Sequence, residues 1–148
     1  MDLMKTDIRS YKEYTIRVGI KESVEFVEIE KTNSKETNQF SSDCGKQILT
    51  YLNGGLKEIK CEINKDKLTD FQKLLFKKIN SIGYGEVRTY QEVANSLEKN
   101  CLPITVGQAL SKNPFPIIIP CHRVVKKDSI GEYKFGKDLK KHLINLSI

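Results

Sequence analysis

The chain contains no apolar run approaching the roughly 18 residues that a membrane-spanning helix requires. Its first residues, Met1-Asp2-Leu3-Met4-Lys5, lack the apolar stretch of a secretory signal. A soluble, cytoplasmic protein with no membrane partner is expected. Histidine is scarce, with only His122 and His142. The four cysteines, Cys44, Cys61, Cys101 and Cys121, are irregularly spaced, and no Cys-x-x-Cys pair occurs. A structural zinc site is therefore not expected. A Cys44–Cys61 disulfide is disfavoured in a reducing compartment. Internal repeats and low-complexity segments are also missing. What remains is 148 residues, 39% hydrophobic and 30% charged. That is enough for one ordinary domain or two small ones with a real core.

Charge divides the chain. The formal net charge of +6 separates into −1 for residues 1–63 and +7 for residues 64–148. A basic second half suits a polyanionic partner, and it equally suits solubility. In the first half, Tyr14–Ile20 and Val24–Ile29 are rich in β-branched and aromatic residues and predict a hairpin or meander. Residues 31–38 predict a loop. Ser42 is placed to cap a helix through Leu52, stopped by Asn53-Gly54-Gly55. A short strand is expected over 59–63. The polar stretch Asn64-Lys65-Asp66-Lys67 marks the boundary between domains 1–63 and 64–148.

The second half predicts helices. Thr69 with Gln72 and Thr89 with Glu92 form two capping-box pairs. The first opens a helix with Phe71, Leu74, Leu75 and Ile79 on one face, broken by Gly83-Tyr84-Gly85. The second opens a short helix over 90–97. Pro103 suits the first position of another, ending near Ser111. Such a pair fits a helix-turn-helix and also a plain bundle. Asn113-Pro114-Phe115-Pro116 is non-helical, and Ile117-Ile118-Ile119 predicts a buried strand. After a turn at 126–129, a last helix covers 136–146 with Leu139, Leu143, Ile144 and Leu146 inward.

Cys121 follows the isoleucine run and precedes His122 and Arg123. A thiol in apolar surroundings ionises poorly and needs help to act as a nucleophile. A histidine that takes its proton, directly or through a water, supplies that help. On this dipeptide alone an inert core cysteine is the commoner outcome.

The full run Asn113-Pro-Phe-Pro-Ile-Ile-Ile-Pro-Cys121-His-Arg-Val-Val125 closely resembles the active-site segment of the O6-alkylguanine-DNA alkyltransferases, the methylated-DNA–protein-cysteine methyltransferases. The resemblance extends to Gly83-Tyr84-Gly85-Glu86-Val87, Thr89-Tyr90-Gln91, Val106-Gly107-Gln108-Ala109-Leu110 and Gly131-Glu132-Tyr133. It implies an α+β (α/β) protein. A small N-terminal ribonuclease-H-like sheet domain would precede a mainly helical, winged helix-turn-helix domain. It further implies direct reversal of DNA damage by a single-turnover methyltransferase. A methyl or small alkyl group on O6 of guanine, or on O4 of thymine, moves irreversibly to Cys121 after the base is flipped out. No cofactor is implied. The partner is double-stranded DNA containing alkylated bases, and the protein is a monomer.

By the same resemblance the catalytic residues are Cys121, His122 and Tyr90, with Tyr90 protonating or hydrogen-bonding the guanine ring nitrogen. Asn113 ties the active-site turn to the recognition helix. The carbonyls of Cys121 and Val124 read the exocyclic amine, Tyr133 lines the pocket, and the Lys134 N–H binds the oxygen. Thr89, Tyr90, Ile104, Thr105, Gly107, Gln108 and Arg123 fall on the DNA-binding surface, although Arg123 also reads as a bridge between segments. Three departures stand out. Ile104 occupies the place of an arginine that fills the gap left by the flipped base, which implies slower flipping. Phe135 replaces a small residue, and it either narrows the pocket or packs in the core. Ser147 occupies the place of a glutamate that orients the histidine, and the terminal carboxylate of Ile148 is the candidate substitute. Rival readings are a non-catalytic relative that only binds alkylated DNA and an unrelated cysteine hydrolase. Retention of Cys121 opposes the first, and the missing signal of an oxyanion site opposes the second.

Overall fold

A computed structural model describes residues 3–32, 36, 38, 40–97 and 101–146. The chain forms two compact units, Met1–Lys67 with Pro114–Ile118, and Leu68–Asn113 with Ile119–Ile148. No helix among the described residues is long and apolar enough to cross a membrane.

The first unit is an antiparallel meander, β1 (Lys5–Tyr11), β2 (Tyr14–Ile20) and β3 (Val24–Lys31), followed by helix α1 (Asp43–Leu52). Central β2 is covered on both faces, with Ile16 and Val18 fully buried. Strand β1 was not anticipated, because Lys5-Thr-Asp-Ile-Arg-Ser-Tyr11 carries only two large apolar residues. Its place is secured by a polar group instead. Asp7 is fully buried and accepts bonds from the Ser42 N–H (2.7 Å), the Ser42 hydroxyl (2.6 Å) and Arg9 Nε (2.8 Å). Burial pushes its carboxyl up, but the bonds from Arg9 and Ser42 outweigh this and hold it below its ordinary value. Ser42 also caps α1 by accepting from the Gly45 N–H at 2.9 Å. Glycine is required at 45, since a methyl there would overlap the Asp7 carboxylate.

The expected strand over 59–63 does not form. Only an isolated parallel bridge, Val24 to Ile63, is present. The segment is instead held by side chains and single backbone bonds, among them Val24 N–H to Glu62 O at 2.8 Å. The Ile117–Ile119 run is likewise no strand. Pro114 and Pro116 withhold backbone donors, and the chain turns through a left-handed Ile117 (φ 72°) while keeping Phe115, Ile117 and Ile119 buried. All four cysteines are free thiols.

The second unit contains α2 (Asp70–Asn80), β4 (Arg88–Thr89), α3 (Tyr90–Ser96), α4 (Pro103–Ser111), β5 (Val124–Val125) and α5 (Lys137–Asn145). Both capping boxes form with their two reciprocal bonds, and Pro103 takes the first turn of α4. The buried face of α2 is Gln72, Leu75, Phe76 and Ile79; Leu74, expected inward, is exposed. Gln72 wins an inward place because its amide both completes the cap and donates to the Lys112 carbonyl at 3.3 Å. On α5 the buried residues are Leu139, Lys140 and Leu143, whereas Ile144 and Leu146 are only half-buried. Strands β4 and β5 pair in parallel, Arg88 with Val124 and Thr89 with Val125. This pairing sets the start of α3 beside the chain that leaves Cys121.

Candidate active site

Cys121 opens a single 3-10 turn, Cys121–Arg123, directly after Pro120. The turn is tight because the Cys121 N–H donates to the Ile119 carbonyl at 2.7 Å and the Arg123 N–H to the Pro120 carbonyl at 3.0 Å. Buried Asn113 braces it from the end of α4. Its side-chain amide donates to the Ile119 carbonyl at 3.3 Å and to Cys121 Sγ at 3.4 Å. The Tyr133 hydroxyl lies near the sulfur. Burial pushes the Cys121 thiol up; the Asn113 bond, the charge on Lys140 and the Tyr133 hydroxyl all work the other way.

His122 is fully buried, and burial, with the Arg123 and Lys140 charges nearby, pulls its imidazole down to about 3. It is therefore neutral at physiological pH. A base this weak does little to ionise the thiol at rest, so the thiolate is favoured instead by the Asn113 bond and the Lys140 charge. Arg123 donates to the Ile82 carbonyl at 2.7 Å, and its guanidinium lies over the Tyr84 ring, 5.8 Å from the centroid. That matches the bridging role. Val124 is fully buried, and its N–H donates to the Cys121 carbonyl.

Tyr90 begins α3, immediately after the Thr89 cap. Its ring runs between two glycines: a methyl at Gly131 would lie 3.4 Å from Cε2, and one at Gly107 3.8 Å from Cε1. Gly131 also has φ +77°, a conformation that side chains rarely adopt. Burial, then the neighbouring Cys121 and Glu132, push the Tyr90 hydroxyl up, so it stays a protonated donor.

Lys140 was missed. Only 1% exposed, it donates to the Glu132 carbonyl at 3.1 Å and sets its ammonium over the Tyr90 ring, 5.6 Å from the centroid. Burial brings it down to about 8, opposed by the attraction of Cys121 and Glu132. A signal did exist. Lys140 stands three residues before Leu143 and four before Ile144, so a cation interrupts the inward apolar stripe.

The remaining predicted residues lie at the rim. Phe135 is half-buried and meets Tyr133 edge to face, with ring centroids 5.4 Å apart. Lys134 is exposed, its ammonium over the Phe135 ring. On α4, Ile104 is 65% exposed, alongside exposed Thr105 and Gln108 and half-buried Gly107. Leu102, just before α4, is also exposed. Among the described residues no group of three or more His, Cys, Asp or Glu side chains is placed to hold a metal. Ser147 and Ile148 lie outside the described residues.

Residues 70–147 match the family model of the 6-O-methylguanine DNA methyltransferase DNA-binding domain. A methylated-DNA–protein-cysteine methyltransferase of Methanosarcina barkeri is 38% identical over 112 residues, which are 75% of this chain and 70% of that one. The chain belongs to this methyltransferase family. Another methyltransferase of the same name, from Archaeoglobus fulgidus, is 39% identical over 111 residues, 71% of this chain and 74% of its own. Among solved structures, the O6-methylguanine methyltransferase of Mycobacterium tuberculosis superposes with a TM-score of 0.82 at 26% identity. The match covers 98% of this chain and 93% of that one. The mixed helix-and-sheet fold is thus that of methyltransferases already solved.

Proposed function

We infer that this chain is a methylated-DNA–protein-cysteine methyltransferase that repairs DNA by direct reversal, with Cys121 as the alkyl acceptor. The observation that carries the assignment is a buried sulfur that accepts a bond from Asn113 on a turn sharing a unit with Tyr90, Tyr133 and Lys140. A buried cysteine with no task has no use for such a donor. The sulfur forms a bond to the alkyl carbon on guanine O6, and the carbon–oxygen bond breaks with its electron pair left on the base. Tyr90 gives a proton to the ring nitrogen, and the proton from Cys121 leaves through a water beside His122 and returns to the Tyr90 phenolate. The product is a thioether, which water cannot cleave, so each molecule corrects one lesion. Intact mass after incubation with O6-methylguanine duplex tests this: a methyl-sized gain mapped to Cys121 is expected. Binding without that gain would leave only a lesion-binding protein.

The finer assignments follow the same reading. The first unit would be the small ribonuclease-H-like domain, and the second the winged helix-turn-helix domain that accepts the alkyl group. The α3–α4 pair faces DNA, with α4 in the minor groove, where the target base must leave the stack to reach Cys121. In α4 (Pro-Ile-Thr-Val-Gly-Gln-Ala-Leu-Ser) no side chain is charged. An apolar wedge of Ile104 therefore replaces charged hydrogen bonds. Ile104→Arg is expected to speed repair of duplex DNA about tenfold, the value of one net charge-assisted bond; a single-turnover rate that stays level or falls would count against it. The contact of Phe135 with Tyr133 favours the narrow-pocket reading. Phe135→Gly is expected to raise labelling by O6-benzylguanine by about tenfold or more, relative to methyl transfer. Equal labelling of the two proteins would sink the idea.

A further inference from the structure

Two cysteines of the first unit take no part in alkyl transfer, and the fold brings them together. Cys44 sits in the first turn of α1, 7% exposed, and Cys61 is half-buried in the extended segment that follows the helix. Gln47, one turn after Cys44 on the same face of α1, clasps the backbone beside Cys61. Its amide nitrogen donates to the Lys60 carbonyl at 3.1 Å, and its amide oxygen accepts from the Lys60 N–H at 2.8 Å. On the other side of Cys61, the Glu62 carbonyl accepts from Val24 N–H at 2.8 Å, and Asn64 N–H donates to the Val24 carbonyl at 2.8 Å. The segment is thus pinned on both sides of residue 61. The two thiols lie close enough that each is the largest influence on the other's ionisation.

We propose that Cys44 and Cys61 form a reversible dithiol–disulfide pair, a redox modification site separate from the alkyl acceptor. Burial and exposure assign the order of events. Half-buried Cys61 is reached first, and its thiolate attacks one sulfur of a low-molecular-weight disulfide, expelling one thiolate. The resulting mixed disulfide stands beside Cys44. Cys44 gives its proton to the departing thiolate and attacks the Cys61 sulfur, expelling the second small thiol. Two S–H groups become one S–S bond, and the small disulfide is reduced by the same two electrons. The ionisation of the pair agrees with this order: the neighbouring thiol holds Cys61 below its ordinary value, and the same pairing together with burial holds Cys44 above. Two thiols alone fall short of the four ligands of a structural zinc site, which leaves the disulfide as the chemistry available to them.

The test uses the full chain in defined mixtures of oxidised and reduced glutathione, quenched in acid, blocked with N-ethylmaleimide and mapped without reduction. The wild type is expected to lose two hydrogens and to yield a peptide joining Cys44 to Cys61, reversed by dithiothreitol. Cys44→Ala should instead accumulate glutathione on Cys61. Gln47→Ala, which releases the clasp, should raise the fraction of that mixed disulfide at the expense of the cross-link. If the alanine at 44 prevents folding, the wild-type peptide map decides alone. A wild-type protein that stops at a glutathione adduct on Cys61, or that shows no Cys44–Cys61 peptide at any ratio, would overturn the proposal.

Discussion

Lys140→Met is expected to lower the rate of methyl transfer at neutral pH by about a hundredfold, the middle of the range by which one adjacent opposite charge shifts ionisation. The ammonium favours the Cys121 thiolate, and it lies over the ring of Tyr90, the proposed proton donor. Methionine keeps most of the volume, removes the charge and frees a buried site from housing a cation. Thermal stability should therefore hold or rise while activity falls, a combination that damage to the fold would not give. The pH dependence carries the sign. In the wild type the thiolate fraction grows with pH, but the ammonium is lost above about 8, so the rate should climb and then level or decline. In Lys140→Met the thiol ionises at higher pH, and the rate should climb later. The two profiles should converge once the wild-type lysine is also neutral. Single-turnover rates on O6-methylguanine duplex between pH 6 and 10 measure this, and superimposable profiles would remove Lys140 from the mechanism.

The second large effect concerns stability. Asp7→Asn is expected to cost about 3 kcal/mol, the lower end for breaking a buried ion pair, because Arg9 is partly exposed and can recover some solvation. Asparagine is nearly the same size, but it lacks the charge that balances Arg9. Its amide also offers hydrogens where the Ser42 N–H and hydroxyl already donate. The folded carboxyl lies below its ordinary value, so its contribution is complete above the unfolded value and fades as pH falls through the folded one. Denaturant midpoints should thus differ most between wild type and variant above about pH 5 and draw together toward pH 2. A gap that stays constant with pH would mean that the loss comes from packing.

Local signals carried far where they were chemical and short-range. The helix caps at Ser42, Thr69 and Thr89, and the proline at the start of α4, depend on side chains within three residues of the backbone they serve, and each was legible. So was the acceptor turn with Asn113, Cys121 and His122, through a motif resemblance rather than through periodicity. Features fixed by distant partners were not legible. Strand β1 depends on a carboxylate that meets Ser42, 35 positions along. Lys140 is buried because the Glu132 carbonyl and the Tyr90 ring receive it. The isoleucine run reads as a strand until its prolines and the left-handed Ile117 are counted together.

That run has a practical corollary for anyone dissecting the molecule. Pro114–Ile118 is counted with the first unit, and Val27 N–H donates to the Pro114 carbonyl at 2.9 Å. No single cut can release the second unit intact. A fragment beginning at Leu68 would carry Phe115 and Ile117 stripped of the first unit's residues, two large apolar side chains presented to water only a few positions before the acceptor cysteine. Joining the second unit of this chain to another protein therefore requires a replacement cover for that segment.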